Sequence, residues 1–250
     1  MKVLILPDTK AVCHKVADLI SERIKEKPDL VLGLSPSLCL MPCYQELVER
    51  YRKGQISFRK ARFFSNDEFL GFGFDHPLSN AYLLWSTFFS SLDVTTENVF
   101  LLNGTAKDPV AECAEYERKI KGAGGIDLQT ILLGLRGEVG RNEPTSSLGS
   151  RCRVKTLSPD EASHNGRFAS RECPKYSLTL GVATMMEAKE VLLVAIGSAR
   201  AMAASRVIEG PITSSVTGSI FQRHPKCTTL LDEAAATFLK RKEYYQSTSL

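Results

Sequence analysis

The sequence lacks the long apolar runs and the one-sided charge that would place it outside the ordinary globular class. No stretch approaches the ~18 apolar residues that a transmembrane helix needs. The apolar start MKVLIL ends at Pro7, which makes it too short for the core of a signal peptide. The net charge is only +4, from 32 Lys and Arg against 28 Asp and Glu, which is too little to indicate a nucleic-acid partner. We therefore expect a cytoplasmic protein with no membrane or nucleic-acid partner.

The seven cysteines lack the spacing of a metal site or of a disulfide framework. Their number is odd and no CxxC pair occurs, which is typical of reduced thiols in the cytosol. Cys39 and Cys43 are four residues apart and would share a helix face, but no second Cys or His pair with ligand spacing accompanies them. The Rossmann dinucleotide fingerprint and the Walker loop are also absent. We therefore expect no metal and no cofactor.

Short apolar runs alternate with amphipathic segments along the 250 residues. Most of the runs are continuously apolar, as in strands that are covered on both faces. The predicted strands are Val3–Leu6, Leu30–Leu34, Ala61–Ser65, Val99–Leu102, Thr130–Gly134, Tyr176–Gly181, Val191–Gly197 and Thr228–Leu231. The predicted helices are Asp8–Lys25, Cys39–Lys53, Leu78–Phe89, Asp108–Lys121, Ser198–Glu209 and Asp232–Glu243. This βαβ alternation predicts one α/β domain over residues 1–250, with an open, mainly parallel, Rossmann-like sheet between helices on both faces in three layers.

The least regular stretch runs from about Arg136 to Pro174 and is rich in Gly, Ser, Arg and Glu. Long irregular segments inside compact domains are usually functional loops, so we interpret residues 150–174 as a lid-like segment. Ligands of such sheets bind beyond the carboxyl ends of the strands. The candidate binding segments that follow strands are Ser35–Cys43, Asn66–His76, Leu135–Pro144 and Ser198–Arg200.

Four blocks carry a family resemblance: FFSNDEFLGFGFDHPLSNAYLLWSTFF, LLGLRGEVGRNEPTSSLGSRCRVKTL, KYSLTLGVATMMEAKEVLLVAIGSARAMAASRVIEG and QRHPK. In this order they resemble the glucosamine-6-phosphate deaminase family, and the likeness runs from Met1 to about residue 240. The resemblance implies an enzyme of amino-sugar catabolism that converts an amino-sugar 6-phosphate to fructose 6-phosphate and ammonia. Its partner would be a small-molecule sugar phosphate. The related 6-phosphogluconolactonase class is a weaker match.

The resemblance assigns catalytic roles to three carboxylates. Asp67 lies in the block that corresponds to the family's Met-Asp-Glu, where the aspartate moves a proton between the first two sugar carbons. Glu143 corresponds to the glutamate of the family's Asn-Glu-Pro, which supports a ring-opening histidine. Here Glu138 stands in place of that histidine and Arg141 in place of a phenylalanine, and two residues are missing before the block. Glu138 and Glu143 are the candidate ring-opening groups, and a loop without ring-opening chemistry is the alternative.

The expected phosphate loop is also altered. The family's Leu-Gly-Leu-Pro-Thr-Gly-Gly-Thr-Pro corresponds here to LGLSPSLCL, in which Ser37 and Leu38 replace the two loop glycines. Ser35 and Ser37 are expected either to donate to the phosphate or only to cap a helix. The resemblance places Arg167 on the mobile segment that closes over substrate, and Arg200 replaces a lysine. For each arginine the alternative is an ordinary surface cation.

A second anion site of the family has its counterpart in Ser146, Ser147, Arg153 and Lys155. In some members these residue types bind N-acetylglucosamine 6-phosphate between subunits as an effector. On a strand, Arg153 and Lys155 would share one face, and a charged edge strand is the alternative reading. Family members range from monomers to hexamers, so a homo-oligomer is among the assemblies allowed. These four residues are present although the catalytic loops are altered, so a second function stays open. In that alternative the protein is a catalytically impaired or inactive paralogue that binds a sugar phosphate or acts as a regulatory subunit.

Overall fold

A parallel sheet forms the centre of the protein in the computed structural model, which describes residues 1–158, 168 and 174–247. The described strands are β1 (Lys2–Leu6), β2 (Val31–Leu34), β3 (Arg62–Ser65), β4 (Asp67–Phe69), β5 (Val99–Phe100), β6 (Leu128–Leu132), β7 (Arg153–Thr156), β8 (Tyr176–Thr179), β9 (Glu190–Ala195) and β10 (Cys227–Asp232). Seven of them form one sheet in the order β1-β10-β9-β6-β2-β3-β5, with every neighbouring pair parallel. The remaining strands form a small antiparallel sheet in the order β4-β8-β7.

Helices follow most of the parallel strands. The described helices are α1 (Thr9–Glu26), α2 (Met41–Arg52), α3 (Asn80–Thr87), α4 (Pro109–Gly122), α5 (Val182–Met186), α6 (Ala201–Glu209) and α7 (Lys242–Ser247). Helix α1 begins where predicted, because the Asp8 side chain accepts a hydrogen bond from the Ala11 N–H at 2.8 Å. In the described part of the chain, no helix is long and apolar enough to cross a membrane.

The parallel sheet separates two hydrophobic cores. Alternate strand residues face opposite sides, so that Val31 joins one core while Leu32 and Leu34 join the other. Helices α1, α2 and α3 cover the core of Leu32. Helices α4 and α6, together with the small sheet, cover the core of Val31. The predicted α/β architecture with three layers is confirmed.

The small sheet is not predicted by the sequence pattern. The predicted strand Tyr176–Gly181 exists as β8, but it pairs antiparallel with β4 and β7 instead of joining the parallel sheet. Strand β7 also lies within the stretch that we expected to be irregular. Residues 159–167 and 169–173 of the expected lid-like segment lie outside the described residues.

The predicted helix Asp232–Glu243 is wrong. Turns follow β10, and helix α7 begins only at Lys242. The carboxylate of Glu209 accepts the backbone N–H groups of Lys240 and Arg241 at 2.8 and 2.9 Å. Because these two N–H groups bond to a side chain, they do not reach back to the carbonyls four residues earlier, and the chain does not continue as a helix here.

Candidate active site

Asn66 ties together the carboxyl ends of three neighbouring strands. Its backbone N–H donates to the Leu34 carbonyl at 2.9 Å, and its side-chain amide donates to the Thr130 carbonyl at 3.1 Å. The side chain of Gln129 in turn donates to Asn66 Oδ1 at 2.7 Å. Asp67 follows directly and begins β4. Because Asp67 follows Asn66 directly, its carboxylate lies at the carboxyl edge of the parallel sheet, where ligands of such sheets bind.

Among the described residues, the side chains of Asn80 and Arg141 hold the buried carboxylate of Asp67. Asn80 Nδ2 donates to Asp67 Oδ1 at 2.7 Å, and Arg141 Nε donates to the same oxygen at 3.1 Å. The guanidinium of Arg141 also lies 4.5 Å from the ring centroid of Phe69, a cation–π distance. The side chains of Asp67 and Arg141 are only 6% and 13% exposed. The pair is therefore largely removed from solvent.

Glu68 fixes the start of α3, and with it the position of Asn80. One carboxylate oxygen accepts the N–H groups of Phe69 and Asn80 at 2.8 and 2.9 Å, and the other accepts Ala81 N–H at 2.7 Å and the Ser79 hydroxyl at 2.9 Å. Burial raises the pKa of Glu68, and these hydrogen bonds oppose that shift without cancelling it. Glu68 thus satisfies N–H groups that the first turn of a helix otherwise leaves unpaired.

The two candidate ring-opening carboxylates lie on the loop after β6. Glu138 is buried, and its Oε2 accepts the Arg136 backbone N–H at 2.8 Å. Its side chain packs so closely over Gly134 that no Cβ fits there. Glu143 Oε1 accepts the Ser158 backbone N–H at 3.0 Å, so Glu143 joins this loop to the residues that follow β7.

Ser35 is held firmly at the end of β2. Its N–H donates to the Thr130 hydroxyl at 3.2 Å, and its carbonyl accepts the buried Tyr44 hydroxyl at 3.1 Å. The Tyr44 and Thr130 hydroxyls are also 2.9 Å apart, and burial raises the pKa of Tyr44. These bonds fix the base of the loop that joins β2 to α2.

Neither serine of this loop caps α2 with its side chain, so the helix-capping expectation is wrong. The residue before the helix is Leu40, which makes no side-chain cap. The carbonyl of Ser37 instead accepts the N–H groups of Leu40 and Met41 at 2.8 and 3.2 Å. The side chain of Leu38 is half exposed, so it does not fill a buried pocket in this loop.

Arg200 brings a cation to the same edge of the sheet. Its Nε donates to the Leu133 carbonyl at 2.7 Å, and its Nη1 donates to the Ile196 carbonyl at 3.0 Å. Its Nη2 lies 3.6 Å from the Cys39 sulfur in the β2–α2 loop. The guanidinium therefore joins loops after β2, β6 and β9. Arg167, the other expected phosphate ligand, lies outside the described residues.

The expected effector residues lie on β7 and on the turn before it. Arg153 and Lys155 occupy alternate positions of this edge strand, which the sequence pattern did not predict as a strand. Arg153 donates to the Arg151 carbonyl at 3.3 Å, and burial lowers its pKa. The hydroxyl of Ser146 is buried and has no hydrogen-bond partner among the described residues, whereas Ser147 is exposed.

The fold and the site define an α/β protein that presents a buried carboxylate and an arginine at the carboxyl edge of a parallel sheet. The chain belongs to the family described as glucosamine-6-phosphate isomerases/6-phosphogluconolactonase, whose sequence profile matches residues 8–229.

Known relatives cover nearly the whole chain. It is 40% identical over 248 residues to a glucosamine-6-phosphate deaminase of Cellvibrio japonicus, covering 98% of this chain and 94% of that protein. It is 41% identical over 251 residues to the Mycolicibacterium smegmatis deaminase, covering 99% and 96%. A solved monomeric glucosamine-6-phosphate deaminase superposes with a TM-score of 0.92 at 32% identity, covering 95% of this chain and 99% of that one. A 6-phosphogluconolactonase from Trypanosoma cruzi shares the fold, with a TM-score of 0.78 at 20% identity and coverage of 96% and 97%.

Two residues that hold Asp67 are absent from the sequence-based candidates. Arg141 has a signal in the sequence, since it puts a charge where the resemblance leads us to expect a phenylalanine. Asn80 has only a weak signal, as the residue after Ser79 near a predicted helix start. Its contact with Asp67 depends on how β4 and α3 pack, which no local pattern encodes.

Proposed function

We propose that this protein is a glucosamine-6-phosphate deaminase-type enzyme, which converts an amino-sugar 6-phosphate to fructose 6-phosphate and ammonia in amino-sugar catabolism. The observation that carries the proposal is the buried carboxylate of Asp67 at the carboxyl edge of the sheet, held by Asn80 and Arg141. The deaminases that are about 40% identical over nearly the whole chain support the same reaction.

Asp67 acts as the base and then as the acid of this reaction. As a carboxylate it removes the proton from carbon 2 of the open-chain amino sugar, and it then returns a proton to carbon 1. The product has an imine at carbon 2, which water hydrolyses to the ketone with release of ammonia. A positioned acid–base group of this kind typically contributes ~10²–10⁴-fold in rate.

Arg200 and the β2–α2 loop bind the phosphate of the substrate. The support for this step is the guanidinium held at the loop ends by two carbonyls, because a planar fork of donors suits phosphate oxygens. Ser35 and Ser37 contribute donors from the adjacent loop. Arg167 closes over the same phosphate in this proposal.

Glu138 protonates the ring oxygen of the cyclic sugar, and Glu143 supports the loop. The support is that Glu138 is buried and held on the loop after β6, where its Oε2 accepts the Arg136 N–H. The alternative is a paralogue that binds a sugar phosphate without turnover. That reading draws its support from Glu138, which stands where the family has a histidine.

A second site for N-acetylglucosamine 6-phosphate is formed by Ser146, Ser147, Arg153 and Lys155, as an effector site within a homo-oligomer. The buried hydroxyl of Ser146 supports it, since buried polar groups normally have a partner. Calorimetry tests this site: heat on addition of the effector that disappears in Arg153→Ala is expected, and heat unchanged by that variant contradicts it. A cytoplasmic location completes the proposal, which the thiols of the described cysteines support.

The decisive experiment measures ammonia release from glucosamine 6-phosphate. We expect Asp67→Asn to lower the rate at least ~10²-fold, because a positioned acid–base group is lost. Asp29→Asn, at an exposed aspartate, serves as the matched control and should leave the rate unchanged. If the wild-type protein and Asp67→Asn are equally inactive, the enzyme proposal fails. Calorimetry with the same sugar phosphate then tests the non-catalytic alternative, which requires heat that Arg200→Ala removes.

A further inference from the structure

Arg141 is anchored at both ends beside Asp67. Its backbone N–H donates to the Thr179 hydroxyl at 3.1 Å, and its side-chain Nε donates to Asp67 Oδ1 at 3.1 Å. Thr179 is itself the residue opposite Asp67 in the pairing of β4 with β8. These contacts hold the loop after β6 against the small sheet. The guanidinium of Arg141 therefore lies beside the carboxylate of Asp67.

The surroundings of this guanidinium keep it in place. One face lies 4.5 Å from the centroid of Phe69, and the side chain is 13% exposed. A buried cation is costly unless it is paired, so within this buried setting the guanidinium needs the carboxylate of Asp67 as its partner. An opposite charge at this distance stabilises the ionised form of a carboxylate.

Asn80 and Arg141 donate to the same oxygen, Oδ1 of Asp67, but they contribute different interactions. Asn80 Nδ2 is the closer donor, at 2.7 Å from Oδ1, and it also donates to the Asp67 carbonyl at 3.2 Å. Asn80 is neutral, so it fixes the orientation of the carboxylate without adding charge. Arg141 adds the charge, which an amide does not supply.

We propose that Arg141 is a positioning residue that keeps Asp67 ionised and aimed for proton removal from the sugar carbon. The inference rests on the proposed function, in which Asp67 is the base. Arg141 acts through Asp67 and needs no contact with the substrate. It extends the pH range of activity on the acid side, because the base stays deprotonated there.

Other titratable groups lie on the elements around Asp67, and none of them is altered in the test variants. Among the described residues they are Glu68 on β4, Tyr82 on α3, Tyr176 on β8, Arg153 and Lys155 on β7, and Arg136, Glu138 and Glu143 on the loop that carries Arg141. Helix α3 carries no charged residue. Glu68 is turned toward the start of α3 by its four hydrogen bonds.

The test compares the pH dependence of kcat/KM for ammonia release in two matched variants. Arg141→Gln keeps an amide donor and loses the charge, whereas Arg141→Lys keeps the charge and loses the planar fork. We expect the acid limb of the profile to move to higher pH by about one pH unit in Arg141→Gln. Arg141→Lys should keep the acid limb of the wild type with a lower kcat. An acid limb unchanged in Arg141→Gln, or moved equally in both variants, overturns the proposal.

A second measurement tests the role of Arg141 without relying on ammonia release. The carboxyl carbon of Asp67, labelled with ¹³C and assigned by its loss in Asp67→Asn, is titrated by NMR without any substrate. The titration midpoint should be higher in Arg141→Gln than in the wild type. If the wild type releases no ammonia, the proposed function fails, but this titration still decides the role of Arg141. Should Arg141→Gln not fold, Arg141→Lys carries the test, and a raised midpoint in that variant overturns the proposal.

Discussion

The sulfur of Cys39 lies 3.6 Å from Nη2 of Arg200, although 161 residues separate them in the sequence. Cys39 is exposed at the mouth of the β2–α2 loop, whereas Cys43, four residues later, is buried with its sulfur 2.9 Å from that of Cys13. The expectation that these two cysteines share a helix face is wrong, because Cys39 lies before α2, which begins at Met41. Cys39 marks the site that we propose for the substrate phosphate.

We expect iodoacetamide to label Cys39 faster than the other described cysteines, because the others are buried or partly buried. Fructose 6-phosphate should slow this labelling if its phosphate lies at Arg200. Mass spectrometry of tryptic peptides measures both effects. Cys39→Ala provides the control peptide map. Labelling at the same rate with and without the sugar phosphate would contradict the phosphate assignment.

Glu68→Gln should destabilise the protein by about 1–3 kcal/mol, the usual cost of an unsatisfied buried polar group. Gln replaces one of two acceptor oxygens by an amide donor, which then faces N–H or O–H donors at the start of α3. Urea unfolding at neutral pH measures the change. Glu22→Gln, at an exposed position of α1, is the matched control. Equal midpoints for the two variants would show that Glu68 does not fix this helix.

Asp127 should make stability fall in acid. Burial alone raises its pKa, but hydrogen bonds from Lys189, Lys27 and the Val31 N–H outweigh burial, and the pKa lies below the ordinary 3.8. The folded state therefore holds the proton less tightly than the unfolded state, so the stabilisation is present above about pH 4 and is lost as the pH falls through the folded pKa.

The matching variant is Asp127→Asn. It should unfold at lower urea than the wild type at pH 6, and the difference should shrink as the pH falls below about 4, because the unfolded chain there takes up a proton more readily than the folded carboxylate does. Denaturant titrations at several pH values measure this trend. Asp29→Asn, at a nearby exposed aspartate, should show no such dependence. A difference that stays constant down to pH 3 contradicts the assignment.

The parallel sheet was predictable from the sequence because its strands carry continuous apolar runs such as Val191–Ala195, which signal cover on both faces. The small sheet was not, since β4 and β7 are short and carry charged residues. Near the end of the helix expected after Asp232, the N–H groups of Lys240 and Arg241 are taken by Glu209, a partner about 30 residues earlier in the sequence. Local patterns do not reveal such competition.

The candidate site, like the fold, could be predicted only in part from the sequence. The resemblance identified Asp67, and the rule for parallel sheets placed it at the carboxyl edge. The contact of Asp67 with Arg141 spans 74 residues and passes through the pairing of β4 with β8. The sequence contains both residues but does not predict that they are in contact. Their contact depends on the register of the small sheet, which the sequence pattern does not predict.

Strand β1 lies at one edge of the parallel sheet, where its neighbour is β10, in a register that runs from Lys2 opposite Thr228 to Leu6 opposite Asp232. At about 5–20 residues per second, a ribosome completes β10 roughly 10–45 seconds after β1. During that interval the apolar strand emerges into the cell without its partner. The last step of sheet assembly therefore waits for late synthesis, and until then the edge of β1 that pairs with β10 stays exposed.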